Sequence, residues 1–351
     1  MPEKLILRDW LSIRRWLEPC LAHVQCVSVD IFDTLLTRCV GDPAEVQRAV
    51  CRLLGEKLNV EAEQVWWARQ QAEKILRQGA LQAGFDPECR YTELVPQWLA
   101  LLQVEPQAAL CEWVQQTELD MEACVLCPKP DAQVFLDWVR EQGIPLLAIS
   151  DMYLDGALLR ELLQRQGLGD YFHGVYVSAD PLLGKYSGRL FAHVLKEQML
   201  AGAQVVHIGD NPVSDRRMAC AQGIQGIWLY EKAETRRRER QTLSAKLARR
   251  GGIWQGRHLF ECVQARLQQH DNLRSRHALC NYGREVLGPA FSVFMQGLQE
   301  RLRHQAAVGQ GVDKLLFVAR DGFLFQRMYQ LAGGEIPSEY VYLSRRVIAA
   351  A

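Results

Sequence analysis

The 351-residue sequence has no excess of charge of either sign, with 41 Lys and Arg against 41 Asp and Glu. That balance removes any composition-level argument for a general nucleic-acid or acidic-membrane binder. Long apolar runs are also missing. The most suggestive stretch, Val286 to Met295, is broken by Gly288, Pro289 and Ser292, short of the roughly 18 apolar residues a bilayer-spanning helix needs. The amino end, MPEKLILRDWLSIRRWLEPC, has neither the apolar core nor the cleavage site of a secretory signal. Residues 1–20 read instead as an amphipathic helix, and a cytoplasmic protein is expected. Eleven cysteines, an odd number, do not suit a disulfide framework. Cys124 and Cys127 form one C-x-x-C, but no second pair supplies the four ligands of a structural zinc site. With 48% hydrophobic and 23% charged residues, whole-chain disorder is excluded.

Short apolar runs at Val24–Val29, Ile144–Ile149, Val175–Val177, Val205–Ile208 and Gly226–Tyr230 suit buried parallel strands. Helix-period segments lie between them, at Asp131–Gln142, Asp155–Gln166, Leu190–Met199 and Asp215–Gln222. This alternation predicts an α/β fold with a doubly wound, Rossmann-like parallel sheet, its core spanning residues 21–37 and 144–230. Ligands of such sheets bind beyond the carboxyl ends of the strands, where Asp30, Ser150 and Asp210 fall. Residues 38–143 keep helical spacing throughout and read as an α-helical insertion placed to act as a lid. Trp66 and Trp67 within it are expected in its core. His207, inside an apolar strand, reads as a core histidine. Residues 231–252 carry eight basic and three acidic residues and look like a charged linker or helix. Residues 253–351 read as a helical extension leading into an incomplete second α/β unit, and residues 231–351 as a candidate surface for a protein partner or a second copy.

The run Val29-Asp30-Ile31-Phe32-Asp33-Thr34-Leu35-Leu36 resembles the first motif of the haloacid dehalogenase-like hydrolase superfamily: apolar strand, Asp, x, Asp, x, Thr, Leu. Ser150 after a strand, Lys185 in GKYSGRLF at a helix start, and the acidic segment Gly209 to Asp215 follow in the family's order. The resemblance spans about residues 20 to 232, and the insertion corresponds to the family's cap. It implies hydrolysis of a small phosphorylated molecule through an aspartyl-phosphate on Asp30. It further implies Mg²⁺ bound by Asp30, the backbone carbonyl of Phe32, Asp210 and Asp215. Lys185 would offset phosphoryl charge, Ser150 would bond a phosphoryl oxygen, Thr34 would fix the nucleophile's turn, and Asp151 would contribute an amide. A lid leaves room for small substrates rather than duplex nucleic acid.

One position departs from that pattern. Phe32 stands where family phosphatases carry the general acid, a group typically worth about 10² to 10⁴ in rate. Three alternatives stay open: Asp33 swings inward to replace it, the substrate has a good leaving group, or the domain binds without turnover. The segments ISDMYL, HIGDN, YGREVLGPAF, FVARDGFLFQRMY and YVYLSRR also resemble a bacterial branch of hydrolases accompanying surface-polysaccharide and glycosyltransferase functions. That likeness implies a sugar phosphate or activated glycosyl substrate, or else a non-catalytic module of polysaccharide biosynthesis.

Overall fold

In the computed structural model, which describes residues 5–38, 43–232, 234–235, 277–307 and 309–342, the apolar runs become one sheet. Its six strands are β1 (Ile6–Leu7), β2 (Cys26–Val29), β5 (Leu146–Ser150), β6 (Gly174–Val177), β7 (Val205–Gly209) and β8 (Gln225–Leu229). All pairings are parallel, in the order β1-β8-β7-β2-β5-β6. Alternation along each strand feeds two cores. Leu146 and Ala148 of β5 join the larger cluster with Val27 and Val29 of β2, whereas Leu147 and Ile149 join Cys26 and the α8 residues Leu190 and Phe191 (α8, Arg189–Glu197). Both faces are therefore buried, as a parallel sheet requires.

The amino-terminal segment differs from the single helix expected. Ile6 and Leu7 pair with Trp228 and Leu229 as an edge strand. Asp9 then caps α1 (Trp10–Leu17) by accepting from Ser12 N at 2.7 Å, so the helix starts only there.

The chain leaves and re-enters the sheet layer through an antiparallel ribbon, β3 (Leu36–Arg38) with β4 (Leu126–Pro128). Between them lie α2 (Ala44–Leu58), α3 (Ala62–Gln82), α4 (Tyr91–Leu101) and α5 (Ala108–Val125), four helices that pack on one another. Trp66 is half-buried under Arg48, while Trp67 is 58% exposed rather than core, because α3 turns it to solvent. Helix α6 (Pro130–Glu141) follows β4 and packs on α1, with Trp10 and Phe135 rings 5.1 Å apart. The remaining crossovers are α7 (Gly156–Arg165) and, after β7, a π-helical turn Pro212–Arg217 running into α9 (Met218–Ala221).

Residues 252–351 form a second compact unit. Helices α10 (Ala278–Tyr282) and α11 (Gly288–Ala307) precede β9 (Leu315–Val318), α12 (Ala319–Leu331) and β10 (Ser338–Val341). Strands β9 and β10 pair in parallel. Arg320-Asp321-Gly322 lies in the first turn of α12, and Gly322 lets the helix close on the strand: a Cβ there would lie 2.7 Å from the Phe317 carbonyl carbon. The basic run from Arg236 to Gly252 lies outside the described residues. No described helix is long and apolar enough to cross a membrane.

Candidate active site

Strand β2 is hydrogen-bonded between β7 and β5, so the carboxyl ends of these three strands form one edge at the sheet's centre. Asp30 is the next residue after β2, and its N–H donates to Ile208 O at 2.9 Å. Leu35 and Leu36 N–H both donate to Ile31 O at 2.9 Å, and Asp33 N–H to Leu36 O at 2.7 Å. These bonds close a tight turn with Asp33 at φ +61°, a left-handed conformation that Asp adopts more readily than most residues. The turn brings Thr34 back beside Asp30. Its hydroxyl reaches Asp30 Oδ2 at 3.0 Å and Asp210 Oδ1 at 3.3 Å, and accepts from Asp210 N at 3.1 Å.

Lys185 arrives from the loop after β6. It was expected at a helix start, but α8 begins at Arg189 after Gly188 at φ +80°, so Lys185 belongs to the loop. Its Nζ donates to Asp30 Oδ1 at 2.5 Å and Asp215 Oδ1 at 2.6 Å, and the lysine is 3% exposed. Asp215 lies in the π-helical turn, whose cap is Asn211, accepting from Val213 N and Ser214 N. The second Asp215 oxygen accepts from Asn211 N at 2.9 Å. Gly209 is required here, because a Cβ would sit 2.3 Å from Asp215 Cγ.

Burial pushes the Asp30 carboxyl up to about 8; Lys185 opposes the rise and the Asp215 and Asp210 charges add to it. Burial also works against charge on Asp215, but Lys185 and His207 outweigh it and hold that carboxyl below its usual range. For Lys185, burial is overcome by Asp215, Asp30 and Asp151, which keep it protonated. Carboxylate oxygens of Asp30, Asp210 and Asp215 lie within 4.8 Å of one another, the one such group of possible metal ligands among the described residues. Three carboxyl groups beside one ammonium make an oxygen-only donor set, which fits a hard divalent cation whose charge would favour the ionised form of Asp30.

Ser150, 1% exposed, ends β5 next to β2. Asp151 uses its carboxylate to accept from Lys185 N at 2.8 Å, fixing the lysine loop from the core side. Phe32 turns toward the ribbon, with the Arg38 guanidinium 4.8 Å from its ring centre. Asp33 is not one of the three converging carboxylates. Cys124 is exposed and Cys127 buried, and neither belongs to that group.

Residues 24–223 match the haloacid dehalogenase-like hydrolase family. The chain belongs to that family. Over 100 residues it is 33% identical to a phosphoserine phosphatase of Thermus thermophilus, covering 28% of this chain and only 39% of that protein. Among solved structures it resembles a 2-haloacid dehalogenase from Pseudomonas syringae pv. tomato, at 22% identity, 58% of this chain, 86% of that chain and a TM-score of 0.43. It also resembles a phosphatase of the same family from Thermococcus onnurineus, at 19% identity, 58% of this chain, 86% of that chain and a TM-score of 0.41.

Sequence reasoning about this haloacid dehalogenase-like hydrolase missed several residues around the site. His207, read as core, is fully buried, yet its Nε2 lies 3.4 Å from Asp215 Oδ1 and its Nδ1 2.9 Å from Ser28 Oγ. Burial holds its pKa down, so the neutral ring with Nε2–H donating to Asp215 satisfies both contacts. Asp155 accepts from Tyr91 N at 3.2 Å and Thr92 N at 2.9 Å, capping α4 from the core loop that follows Ser150. Lys129 donates to Asp33 O at 2.5 Å and pairs with Glu231. No local pattern marks such partners, because all their contacts but His207 to Asp215 cross 63 to 179 positions of sequence.

Proposed function

We propose that this chain hydrolyses small phosphorylated metabolites through an aspartyl-phosphate on Asp30, in the cytoplasm and with Mg²⁺. The observation that carries the reading is the buried lysine bridging Asp30 and Asp215, with Asp210 and Thr34 alongside, at the carboxyl ends of the central strands. Asp30, the Phe32 carbonyl and Asp210 would hold Mg²⁺, with Asp215 as a ligand or orienter, and the ion would neutralise charge between carboxylate and phosphoryl group.

An Asp30 oxygen bonds to phosphorus as the bond to the leaving oxygen breaks, and the leaving oxygen takes a proton. Water then attacks phosphorus, the bond to Asp30 breaks, and phosphate departs with the carboxylate restored. Lys185 offsets charge on the phosphoryl oxygens, while Ser150 and amides near Phe32 and Asp151 donate to them. Thr34 keeps Asp30 in place. Helices α2–α5 serve as the cap over the strand ends, and residues 231–351 serve as a surface for a partner or second copy. With Phe32 at the acid's position, Asp33 donates the leaving-group proton or the substrate needs none. Acyl phosphates therefore join sugar phosphates and phosphoserine, named for the Thermus relative, as the substrates to try.

Phosphate release should be assayed with Mg²⁺ across that panel, in wild type and Asp30→Asn. Release that depends on Mg²⁺ and vanishes in the variant supports the reading, and dependence on Asp33 only for alkyl phosphates identifies Asp33 as the acid. Phe32, stacked toward Arg38, favours a second reading: a non-catalytic module of polysaccharide biosynthesis. Thermal stabilisation by Mg²⁺ with a metal fluoride, but no turnover, would select it. Neither stabilisation nor turnover would sink both.

A further inference from the structure

The cap segment between α3 and α4 reaches across to the loop that carries Lys185. Asp86 Oδ2 accepts from Gly184 N at 2.7 Å and from Ser187 Oγ at 2.5 Å, and Oδ1 accepts from Arg189 Nη1 at 3.1 Å. The Asp86 N–H donates back to Leu182 O at 3.0 Å. Arg189 Nη1 also donates to Gly84 O at 3.2 Å, and Arg90 donates twice to Asp180 O, at 3.1 and 2.8 Å. Within this loop Leu182 has φ +56°, a strained conformation for a non-glycine residue that persists only where surroundings over-determine it. Its carbonyl is one of the atoms Asp86 holds.

The two sides of the loop are thus fixed by different parts of the fold. Asp151 grips the Lys185 N–H from the core, and Asp86 grips the residues on either side of Lys185 from the cap. An ammonium wedged between two carboxylates at 2.5 and 2.6 Å has little freedom to follow its backbone. A cap segment that moved away would take these seven bonds from the loop and the start of α8 at once and let Lys185 shift.

We propose that Asp86 is a positioning residue: a cap carboxylate that sets Lys185 on Asp30 and Asp215, so that cap closure completes the charge arrangement at the nucleophile. It rests on the reading of Lys185 as the phosphoryl-binding cation. A misplacement of about 1 Å at a reacting group can cost about 10²-fold in rate.

The test combines Asp86→Ala, Lys185→Met and the double variant in the full chain, with acetyl phosphate and Mg²⁺. Asp86→Ala should lower kcat by about 10- to 100-fold, Asp86→Asn by less, and Arg189→Ala, which removes only one of the contacts of Asp86, least. In the Lys185→Met background, Asp86→Ala should cost nothing further, because its effect passes through the lysine. Losses that multiply would overturn the proposal. A second arm needs no turnover: acetylation of Lys185 by acetic anhydride, read by peptide mass spectrometry, should speed up in Asp86→Ala while Lys129 stays unchanged. Unaltered Lys185 labelling overturns the positioning role even if the wild type hydrolyses nothing, and increased labelling in an inactive protein sustains the clasp while the hydrolase reading falls.

Discussion

At the scale of single residues, the site is dominated by unequal charge. Lys185 is the buried cation paired with Asp30 and Asp215, and Asp210 stands beside them. Removing one partner of a buried pair typically costs about 3–5 kcal/mol, because the survivor keeps its desolvation penalty. Lys185→Met should therefore be strongly destabilising in urea without divalent ions, and added Mg²⁺ should recover part of the loss. Asp30→Asn should cost far less, since Lys185 keeps Asp215. Equal losses in the two variants would show that unequal charge is not the governing feature. Another buried acid lies in the helical insertion, where Arg38 approaches Glu122 at 3.2 Å. Burial pushes the Glu122 carboxyl up to about 7 against the pull of Arg38, with Glu118 adding to the rise. An acid with a higher pKa folded than unfolded binds more protons when folded. Its contribution to stability is full below about 4.5 and is lost as pH rises through about 7. Glu122→Gln should flatten the fall of Tm with pH across that window; an unchanged slope would mean that Glu122 is ionised in the folded chain.

At the scale of elements, the ties of the insertion to the core include the ribbon β3–β4, the clasp at Asp86, the Asp155 cap on α4, and the bonds of Tyr153 and Arg165 to Glu118 and Asp120 of α5. Asp155 satisfies two of the unpaired N–H groups at that helix start, and losing an N-cap acceptor costs about 1–2 kcal/mol. Asp155→Ala should lower Tm correspondingly and speed proteolytic cleavage between α3 and α4; a melt and a digestion pattern like the wild type's would show that the cap does not depend on this tie. These ties mark where sequence reading stops. Asp30, Ser150 and Asp210 were legible because buried parallel strands are unbroken apolar runs and each of these residues follows or ends one. The ribbon was not, because three-residue strands carry no period, and Leu36–Arg38 continues directly from the turn after Asp30. Ile6–Leu7 was absorbed into an apparent helix, since two residues of edge strand cannot be told from the amphipathic pattern that follows. Asp86 resembles any loop aspartate until the 182–189 segment, about a hundred positions away, is folded against it.

At the scale of the whole molecule, the chain holds two units with separate cores. The first has its sheet buried on both faces. The second depends on a small cluster around Met295, Leu302 and Tyr329, with Phe291 and Phe294 packed on Phe325 at ring distances of 5.4 and 5.0 Å. It leaves Leu316, Phe323 and Leu331 59%, 62% and 79% exposed, and a pair of parallel strands buries too little on its own for high stability. Separate cores of such different size should unfold separately, the second unit at the lower denaturant concentration. Gly322 supplies a way to assign the steps. A methyl group there would meet the Phe317 backbone at 2.7 Å, where neither helix nor strand can yield cheaply, so Gly322→Ala should cost about 1–3 kcal/mol. In equilibrium unfolding followed by both tryptophan fluorescence and circular dichroism, the substitution should shift the first transition to lower denaturant and leave the second, with any Mg²⁺-dependent stabilisation, in place. The second unit holds one of the nine tryptophans, Trp254, so the first transition should be weaker in fluorescence than in circular dichroism. A single transition that Gly322→Ala shifts as a whole would mean that the two cores fold as one.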